Sequence, residues 1–223
     1  MPPCSEPVAA AATTIVMRDA PQGLQVLMVQ RAPTLVFHGG AWVFPGGRVD
    51  ESDRVGADEV GAARRAAVRE TREEASLTTV PEELFAFSHW TTPAGRPRRF
   101  ATWFFVTRVD SSLEATVDGT EIRAHRWLGI REALEAQRRG ELELPPPTFV
   151  SLVSLVTCRD WAAVAELARS RPPPIFVPRP RVVADGVVSL YHGDAAYDGA
   201  PLDAPGRRHR LHMLKSGHRY EVA

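Results

Sequence analysis

Runs of β-branched and aromatic residues along the N-terminal part of the chain predict a set of short strands. Residues 13–19 (TTIVMRD) and 24–32 (LQVLMVQRA) flank the turn-forming tripeptide PQG, a pattern typical of a β-hairpin. Further runs of the same character predict strands at residues 41–50, 83–93, 99–110 and 121–129. The first of these runs, AWVFPGGRVD, enters a Gly-Gly turn.

Helical patterns lie between and after the strands. Residues 58–75, rich in Ala, Arg and Glu, predict a helix, and the polar run ESDRVGADEVG predicts a loop ahead of it. Residues 130–139 predict another helix. Residues 144–171 predict two more, the first opened by prolines, which suit a first helical turn. The order of strands, helix, strands, helix predicts an α+β fold with a mixed sheet rather than a doubly wound repeat.

The C-terminal part of the chain has a different character. RPPPIFVPRPR (171–181) cannot form a central strand because proline donates no backbone hydrogen bond, so we predict an extended arm. Residues 209–222 predict a β-hairpin around Ser216-Gly217. We therefore predict a core domain over residues 1–142. A C-terminal extension over 143–223, with two helices, the arm and short β elements, would pack on it.

Composition narrows the classes of function. The chain has 223 residues, 44% of them hydrophobic, which is enough for a packed core. Its formal net charge of zero argues against broad nucleic-acid binding. No stretch approaches the ~20 apolar residues of a membrane span. Cys4 and Cys158 form neither a disulfide framework nor a zinc site, and we find no signal peptide, so we expect a cytoplasmic protein. The proline-rich arm leaves a homodimer open.

Three carboxylates stand side by side on the helix predicted at residues 58–75. Glu70, Glu73 and Glu74 are spaced i, i+3 and i+4, and like charges at this spacing repel. At about 100° per residue they share one sector with Ala63, Ala66 and Ala67. A stripe of alanines predicts close approach of the helix to another element, with the carboxylates in a cleft.

Two interpretations of these glutamates stay open from the helix alone. The first is a solvated surface helix, in which Arg69 and Glu73 form an i,i+4 ion pair. The second is a site for Mg²⁺ or Mn²⁺, because hard cations take oxygen ligands and also bind substrate phosphates.

The residues upstream favour the metal site through a family resemblance. FPGG (44–47) followed by AAVRETREEASL (66–77) resembles the Nudix hydrolase box, G-x5-E-x7-R-E-U-x-E-E-x-G-U, where U is aliphatic. Arg69-Glu70 match its R-E, Glu73-Glu74 match its E-E, and Leu77 matches its last position. The resemblance implies a Nudix-type α/β/α sandwich with a mixed sheet and a metal-dependent hydrolase.

This sequence departs from the box in three places. Eight residues are inserted between the box glycine and Arg69, so the first box glutamate corresponds to Asp53 counted forward or to Gly61 counted backward. Thr71 replaces an aliphatic residue, and Ser76 replaces a glycine that we expect at the C-terminal end of the helix. The loop that contains the insertion, residues 48–60, is a candidate lid on the basis of its polarity.

The resemblance also implies roles for particular residues. Glu70 and Glu74 would ligate the metal directly, with Glu73 in or next to that shell and a carbonyl near Gly46 as a further oxygen ligand. Arg69 would fix the glutamates through hydrogen bonds. The general base would be Glu70 or Glu121, which stands at the start of the strand predicted at 121–129.

One branch of the family, the coenzyme A diphosphatases, has a similar extended loop. Residues 27–47 follow the spacing of its coenzyme A signature, L-L-T-[SA]-R-[SA]-x3-R-x3-G-x3-F-P-G-G, although Val36 replaces the second arginine. The matching positions are Leu27, Arg31, Ala32, Gly40 and Phe44. The resemblance makes coenzyme A or acyl-coenzyme A the leading substrate, cleaved to 3′,5′-ADP and a phosphopantetheine. The alternatives are ADP-ribose or NADH, and a nucleotide sensor without activity.

Substrate recognition would use residues outside the glutamate cluster. The box and the signature segment supply Arg31, Phe44 and Gly47 as candidates. Arg98 and Arg99 in GRPRRF are candidates because guanidinium groups bind phosphate in a bidentate manner, although a solvated loop is an equal alternative for each.

Overall fold

A computed structural model describes residues 8–35, 38–117 and 119–223. Val36 and Cys4, which entered the sequence interpretation, lie outside the described residues. The described residues form two sheets and five α-helices, with a short 3₁₀ helix at Pro81–Glu83. None of the described helices is both long enough and apolar enough to cross a membrane.

The larger sheet is mixed and carries the predicted N-terminal strands. Its described strands are β1 (Val8–Ala20), β2 (Gly23–Arg31), β3 (Trp42–Val43), β4 (Gly46–Arg48), β5 (Phe85–Thr91), β6 (Arg99–Arg108), β7 (Ile122–Gly129) and β8 (Ile175–Phe176). The spatial order is β3-β2-β1-β6-β5-β8, with β4 paired to β1 and β7 to β2. β1 and β2 form the predicted hairpin, and β1 runs parallel to β6, so the mixed sheet is confirmed.

Helices cover both faces of this sheet. They are α1 (Glu51–Arg54), α2 (Glu59–Ala75), α3 (Ile130–Arg138), α4 (Pro146–Leu155) and α5 (Trp161–Arg169). Because side chains alternate along a strand, β1 contributes side chains to the hydrophobic clusters on both faces of the sheet. Ile15 and Met17 pack with α3, α4 and α5, whereas Ala12 packs with α2 on the other face. The α+β class and the predicted three-layer arrangement are confirmed.

The smaller sheet is antiparallel and lies entirely in the C-terminal part. Its strands are β9 (Arg179–Val183), β10 (Gly186–Leu190), β11 (His209–Leu214) and β12 (Gly217–Val222), in the order β12-β11-β10-β9. β11 and β12 are the predicted hairpin. The proline-rich arm is not a central strand, as predicted, but it is more ordered than an arm. It supplies β8 at the edge of one sheet and β9 at the edge of the other.

The region on each side of residue 142 contributes to one hydrophobic cluster. Ile15 of β1, Leu144, Phe149 of α4 and Leu211 of β11 all belong to it. The C-terminal part therefore packs on the larger sheet, while the domain boundary at residue 142 stays a prediction.

Candidate active site

Helix α2 has a clear start and a clear end. Asp58 caps its N-terminus, where the side chain accepts a hydrogen bond from the Gly61 amide at 2.7 Å. Ser76 follows the last turn with a φ of 57°, in the left-handed region, and its amide donates to the Arg72 carbonyl. The structure thus places Ser76 at the helix end, as the missing box glycine predicted.

The alanine stripe of α2 lies directly on the larger sheet. Ala63, Ala66 and Ala67 are buried against Ala12 of β1, and the Thr14 hydroxyl donates to the Ala67 carbonyl at 3.2 Å. Small side chains allow this close approach. One turn further along α2, the same approach brings Glu70 and Glu74 against β4.

Two glycines in β4 make room for these two carboxylates. The Gly46 amide donates to a Glu74 carboxylate oxygen at 2.9 Å. A Cβ at Gly46 would lie 2.4 Å from the Ala12 carbonyl oxygen, and a Cβ at Gly47 would lie 2.3 Å from a Glu70 carboxylate oxygen. Glycine is therefore required at both positions by close contacts, and the predicted Gly-Gly turn is part of strand β4. The absence of a side chain at Gly47 leaves space for the Glu70 carboxylate. The predicted role of Gly47 in substrate binding stays a prediction.

Glu74 is a buried carboxylate with other carboxylates nearby. It is 7% exposed. The pKa of Glu74 is raised to about 8, first by burial and then by the charges of Glu70 and Glu121, against the lowering effects of the Gly46 amide and Arg31. Burial also raises the pKa of Glu70, although Arg69 opposes this. Glu121, just before β7, and Arg31, at the end of β2, are thus brought into the electrostatic surroundings of Glu74.

Arg69 links the glutamates to the inserted segment. One terminal nitrogen, Nη1, donates to Glu70 at 2.8 Å and to Glu73 at 3.0 Å. The other, Nη2, donates to the Arg48 carbonyl at 2.8 Å and to Asp53 at 3.1 Å. Arg69 therefore holds the cluster through hydrogen bonds, as predicted from the resemblance.

Glu73 differs from the other two glutamates. Its side chain is 57% exposed and forms the i,i+4 pair with Arg69 that the surface-helix interpretation named. Glu70 and Glu74 instead face β4. The three carboxylates therefore do not converge in one cleft, and Glu73 lies on the solvent side of Arg69.

The carboxylate oxygens of Glu70 and Glu74 are the type of ligand that a hard divalent cation prefers, although they are not arranged around one common metal position. In the part of the chain that the structure describes, no three carboxylate, imidazole or thiol side chains are close enough to hold a metal ion together. Glu70 and Glu74 nevertheless present oxygen ligands beside the Gly46-Gly47 backbone, and their mutual repulsion is the kind that Mg²⁺ or Mn²⁺ relieves. A ligand carbonyl at Gly46 stays a prediction.

The inserted segment is packed rather than open. Asp50 and Asp53 form a capping box at α1, in which the Asp50 amide donates to Asp53 at 2.9 Å. Val49 is buried beside the alanine stripe, and Arg65 donates to the Val55 carbonyl at 2.6 Å. The predicted polar loop thus contains a helical turn that is held to α2, and a lid is not what the structure shows.

Asp53 is one of two positions that sequence spacing left open for the first box glutamate. It is buried and it contacts Arg69, whereas the competing position, Gly61, carries no side chain and serves the cap of α2. Counting forward from the box glycine was the signal that could have identified Asp53.

The predicted substrate residues lie in different environments. Arg31 is half-buried at the point where the register between β2 and β7 shifts. Burial lowers the pKa of His38, and the positive charges of Arg31 and Arg96 lower it too, whereas the negative charge of Glu143 raises it. The charges of Arg31, Arg96 and Glu143 therefore all act on the segment around His38. Arg98 is exposed, and Arg99 donates from Nε to the Thr92 carbonyl at 3.2 Å.

Neither Arg98 nor Arg99 hydrogen-bonds to a glutamate of α2 within the described residues. The Phe44 side chain is 2% exposed and belongs to the hydrophobic cluster that contains Trp42 and Trp90. It is therefore part of the core, while its predicted contact with substrate stays a prediction. The alternation of residues 41–50 could not reveal this, because the elements that cover Phe44 come much later in the chain.

Comparison with known proteins gives a consistent result. A family model for the NUDIX domain matches residues 8–147. Putative nudix hydrolase 7 of Caenorhabditis elegans is 26% identical over 220 residues, which is 82% of this chain and 74% of that protein.

Two further relatives have a named substrate. Acyl-coenzyme A diphosphatase NUDT19 is 30% identical over 135 residues in Gallus gallus, covering 56% of this chain and 36% of that protein. The Homo sapiens protein of the same name is 30% identical over 126 residues, covering 51% of this chain and 32% of that protein. The chain thus matches about a third of the length of each.

Solved structures share the fold. A NUDIX hydrolase from Alicyclobacillus acidocaldarius superposes with a TM-score of 0.63 at 28% identity, covering 75% of this chain and 97% of that one. The NUDIX domain of Shewanella oneidensis NrtR, solved with ADP ribose, has a TM-score of 0.52 over 74% of this chain and 92% of that one. Its 15% identity supports the fold alone.

Proposed function

The chain belongs to the Nudix family of hydrolases, and on that premise we propose that it cleaves the diphosphate of coenzyme A or an acyl-coenzyme A with the help of Mg²⁺ or Mn²⁺. The observation that carries the proposal is the pair Glu70 and Glu74. Both carboxylates are pressed against the Gly46-Gly47 backbone, and Glu74 is buried with the charges of Glu70 and Glu121 beside it. A divalent cation bound between these carboxylates would stabilise their charged forms, which burial and mutual repulsion otherwise disfavour.

The residues divide into those that would hold the cation and those that position them. Glu70, Glu74 and the Gly46 carbonyl would hold it, with Glu73 beside them. The bound ion would neutralise charge on the phosphate oxygens and lower the pKa of a water molecule. Arg69 positions Glu70 and Glu73.

The proton from the attacking water would go to a carboxylate near the cluster. Glu121 is the better candidate, because Glu70 already accepts a hydrogen bond from Arg69. Glu121 is exposed at the start of β7, and its charge reaches Glu74.

The coenzyme A assignment rests on three supports. The spacing of residues 27–47 resembles the coenzyme A signature, two acyl-coenzyme A diphosphatases are relatives, and Arg31 and Arg96 act on the same segment around His38. Two guanidinium groups in one region suit a substrate with several phosphates.

A product screen tests this proposal. The protein would be incubated with Mg²⁺ or Mn²⁺ and, separately, with coenzyme A, acetyl-coenzyme A, ADP-ribose and NADH, with products identified by mass. We expect 3′,5′-ADP from coenzyme A, and loss of the product in Glu74→Gln. Cleavage of ADP-ribose or NADH alone would keep the hydrolase and remove the coenzyme A assignment. A nucleotide that binds without cleavage would identify a sensor instead.

A further inference from the structure

Helix α1 is too short to be stable through its own backbone hydrogen bonds. It has four residues, Glu51–Arg54, and a single helical turn costs more conformational entropy than its one hydrogen bond returns. Yet α1 carries Asp53, the buried carboxylate that pairs with Arg69. Contacts with neighbouring parts of the chain must therefore hold Asp53 in place.

The start of α1 is held by the residues around it. The Asp50 amide donates to the Asp53 carboxylate at 2.9 Å, and the Asp53 amide donates to the Asp50 carbonyl at 3.1 Å. Val49 is buried, and its amide donates to the Ala10 carbonyl of β1 at 3.0 Å. These contacts fix the entry into α1 and do not reach its last residues.

Arg65 of α2 holds the other end of α1. Its Nη1 donates to the Val55 carbonyl at 2.6 Å and, more weakly, to the Asp53 carbonyl at 3.4 Å. Val55 directly follows the last residue of α1. Carbonyls at the C-terminal end of a helix have no partner within it, and a cation there is favoured by the helix dipole. Arg65 is therefore a side-chain cap for the C-terminal end of α1.

Arg65 and Arg69 lie one turn apart on the same face of α2. Arg65 contacts the backbone of α1, whereas Nη2 of Arg69 donates to the Asp53 carboxylate at 3.1 Å. Nη1 of Arg69 donates to Glu70 at 2.8 Å. A continuous series of contacts thus runs from Arg65 through Asp53 to Arg69 and its glutamate.

The insertion lengthens the connection that Arg65 closes. In the Nudix box the first carboxylate and the arginine are eight positions apart, whereas Asp53 and Arg69 are 16 apart. Helix α2 begins at Glu59, so the chain enters it roughly 15 Å along the helix axis from Arg69. A connection of that length does not by itself keep Asp53 beside Arg69. Arg65 shortens the free part of the connection, because it ties the end of α1 to α2 one turn before Arg69.

We propose that Arg65 is a positioning residue of the hydrolase, which keeps Asp53 against Arg69 by capping α1 and so holds Glu70 for the reaction. The inference rests on the proposed function, because that function gives Glu70 its role. Arg65 is exposed, and within the described residues its side chain hydrogen-bonds to carbonyls of the inserted segment and to no glutamate of α2. It therefore acts through Asp53.

A double-mutant cycle is the kinetic test. kcat and KM would be measured for the unmodified chain, Arg65→Ala, Asp53→Asn and the double variant, with the substrate that the product screen identifies. We expect Arg65→Ala to lower kcat about tenfold and to leave KM within about twofold, because Arg65 contacts a positioning group and not the substrate. In the Asp53→Asn background the same change should lower kcat less than about twofold, because the contact that transmits it is already lost.

Hydrogen exchange measures the cap without substrate. Mass spectrometry of peptides that cover residues 50–57 should show exchange at least about tenfold faster in Arg65→Ala than in the unmodified chain, because the end of α1 is released. Arg54→Ala is the matched control, since Arg54 is an arginine of α1 itself and pairs only with the exposed Glu51. This control should change neither the exchange of residues 50–57 nor kcat.

The two readouts separate a failure of this inference from a failure of the proposed function. If the unmodified chain cleaves none of the screened substrates, the proposed function is wrong, and the role of Arg65 in the reaction is lost with it. If the unmodified chain is active, three results overturn the inference alone. They are unchanged exchange at residues 50–57 in Arg65→Ala, a kcat of Arg65→Ala equal to that of Arg54→Ala, and an equal loss of kcat in both backgrounds.

Discussion

At the scale of single residues, the candidate site depends on the guanidinium of Arg69. Its two terminal nitrogens reach acceptors from three parts of the chain: Glu70 and Glu73 on α2, the Arg48 carbonyl in β4, and Asp53 in α1. A planar guanidinium with fixed donors can hold such a set, and lysine could not. The inserted segment thus contacts the residue that holds the glutamates, because Asp50 and Asp53 both pair with Arg69.

Replacing Asp53 by Asn tests this positioning role. The variant keeps the shape but removes the buried one of the charges that Arg69 pairs with, so we expect kcat to fall about 10- to 100-fold with a smaller change in KM. Glu51→Gln is the matched control, because Glu51 lies in the same helical turn with its side chain 97% exposed. An activity of Asp53→Asn equal to that of the control would mean that the inserted segment does not position Arg69.

Replacing Glu74 by Gln tests the cation site itself. The change is isosteric and removes a buried charge, so the fold should persist or become slightly more stable while Mg²⁺-dependent turnover falls by more than about 100-fold. Glu73→Gln is the comparison, since Glu73 is largely exposed, and its loss should be smaller. Turnover and thermal unfolding of both variants are the measurements. Near-normal turnover of Glu74→Gln would remove the cation site.

Sequence periodicity identified part of the site and missed part of it for physical reasons. Glu70 and Glu74 follow from the helical repeat, and their contact with β4 follows from the alanine stripe. The repeat does not show that Glu73 lies at the surface beside Arg69. It also does not show that Phe44 is buried, because most residues of its hydrophobic cluster lie far away in sequence.

At the scale of elements, local preference and tertiary pairing contribute differently. The helix predicted over residues 58–75 differs from α2 only at its first residue, because Asp58 is the cap. Strand β1 was predicted from residue 13 but begins at Val8, since the alanine run has low strand preference. Pairing with β6 from Val8 onward, and with β4 at Ala11, holds this run extended. Strand β10 (GVVSL) was missed for a similar reason, as it is short and is defined by β9 and β11 on either side.

The end of α2 offers a test of local strain. Ser76 adopts a φ of 57°, which glycine tolerates and serine does not favour. We therefore expect Ser76→Gly to raise the free energy of unfolding by about 0.5 to 1 kcal/mol in urea titrations. Ser170→Gly is the control at the end of α5, where φ is −74° and glycine brings no relief, so this variant should be neutral or less stable. Destabilisation by Ser76→Gly would mean that the serine side chain stabilises the turn.

At the scale of the whole molecule, two features join the smaller sheet to the larger one. They are a hydrophobic cluster to which both sheets contribute and the proline-rich segment that contains β8 and β9. Tyr191 after β10 packs edge-on against Trp90 and Phe176, which links the two sheets through rings. The segment that supplies β8 and β9 binds both sheet edges, and proline at each site limits further pairing. The prolines showed that this segment is not central, but only the folded chain shows which edges it occupies.

A buried ion pair in the smaller sheet predicts how stability depends on acid. Asp194 accepts from Nε and Nη2 of Arg210 at 2.7 and 2.6 Å, and from the amides of Ala196 and His209. Burial alone would raise the pKa of Asp194, but these hydrogen bonds lower it to about 2. Because the folded-state pKa lies below the unfolded value of about 3.9, the contribution is present above pH 4 and is lost as the pH falls towards 2.

The Asp194→Asn variant isolates this contribution. At pH 7 it should lower the free energy of unfolding by about 3 kcal/mol, because Arg210 is left buried without its counter-charge. Between pH 4 and pH 2 the unmodified chain should lose on the order of 2 kcal/mol more than the variant, since the variant has no carboxylate to protonate there. Asp198→Asn is the control, because Asp198 is an exposed partner of Arg179 and its removal should change little at either pH. Parallel acid profiles for Asp194→Asn and the unmodified chain would show that other carboxylates govern acid unfolding, and that protonation of Asp194 does not contribute to it.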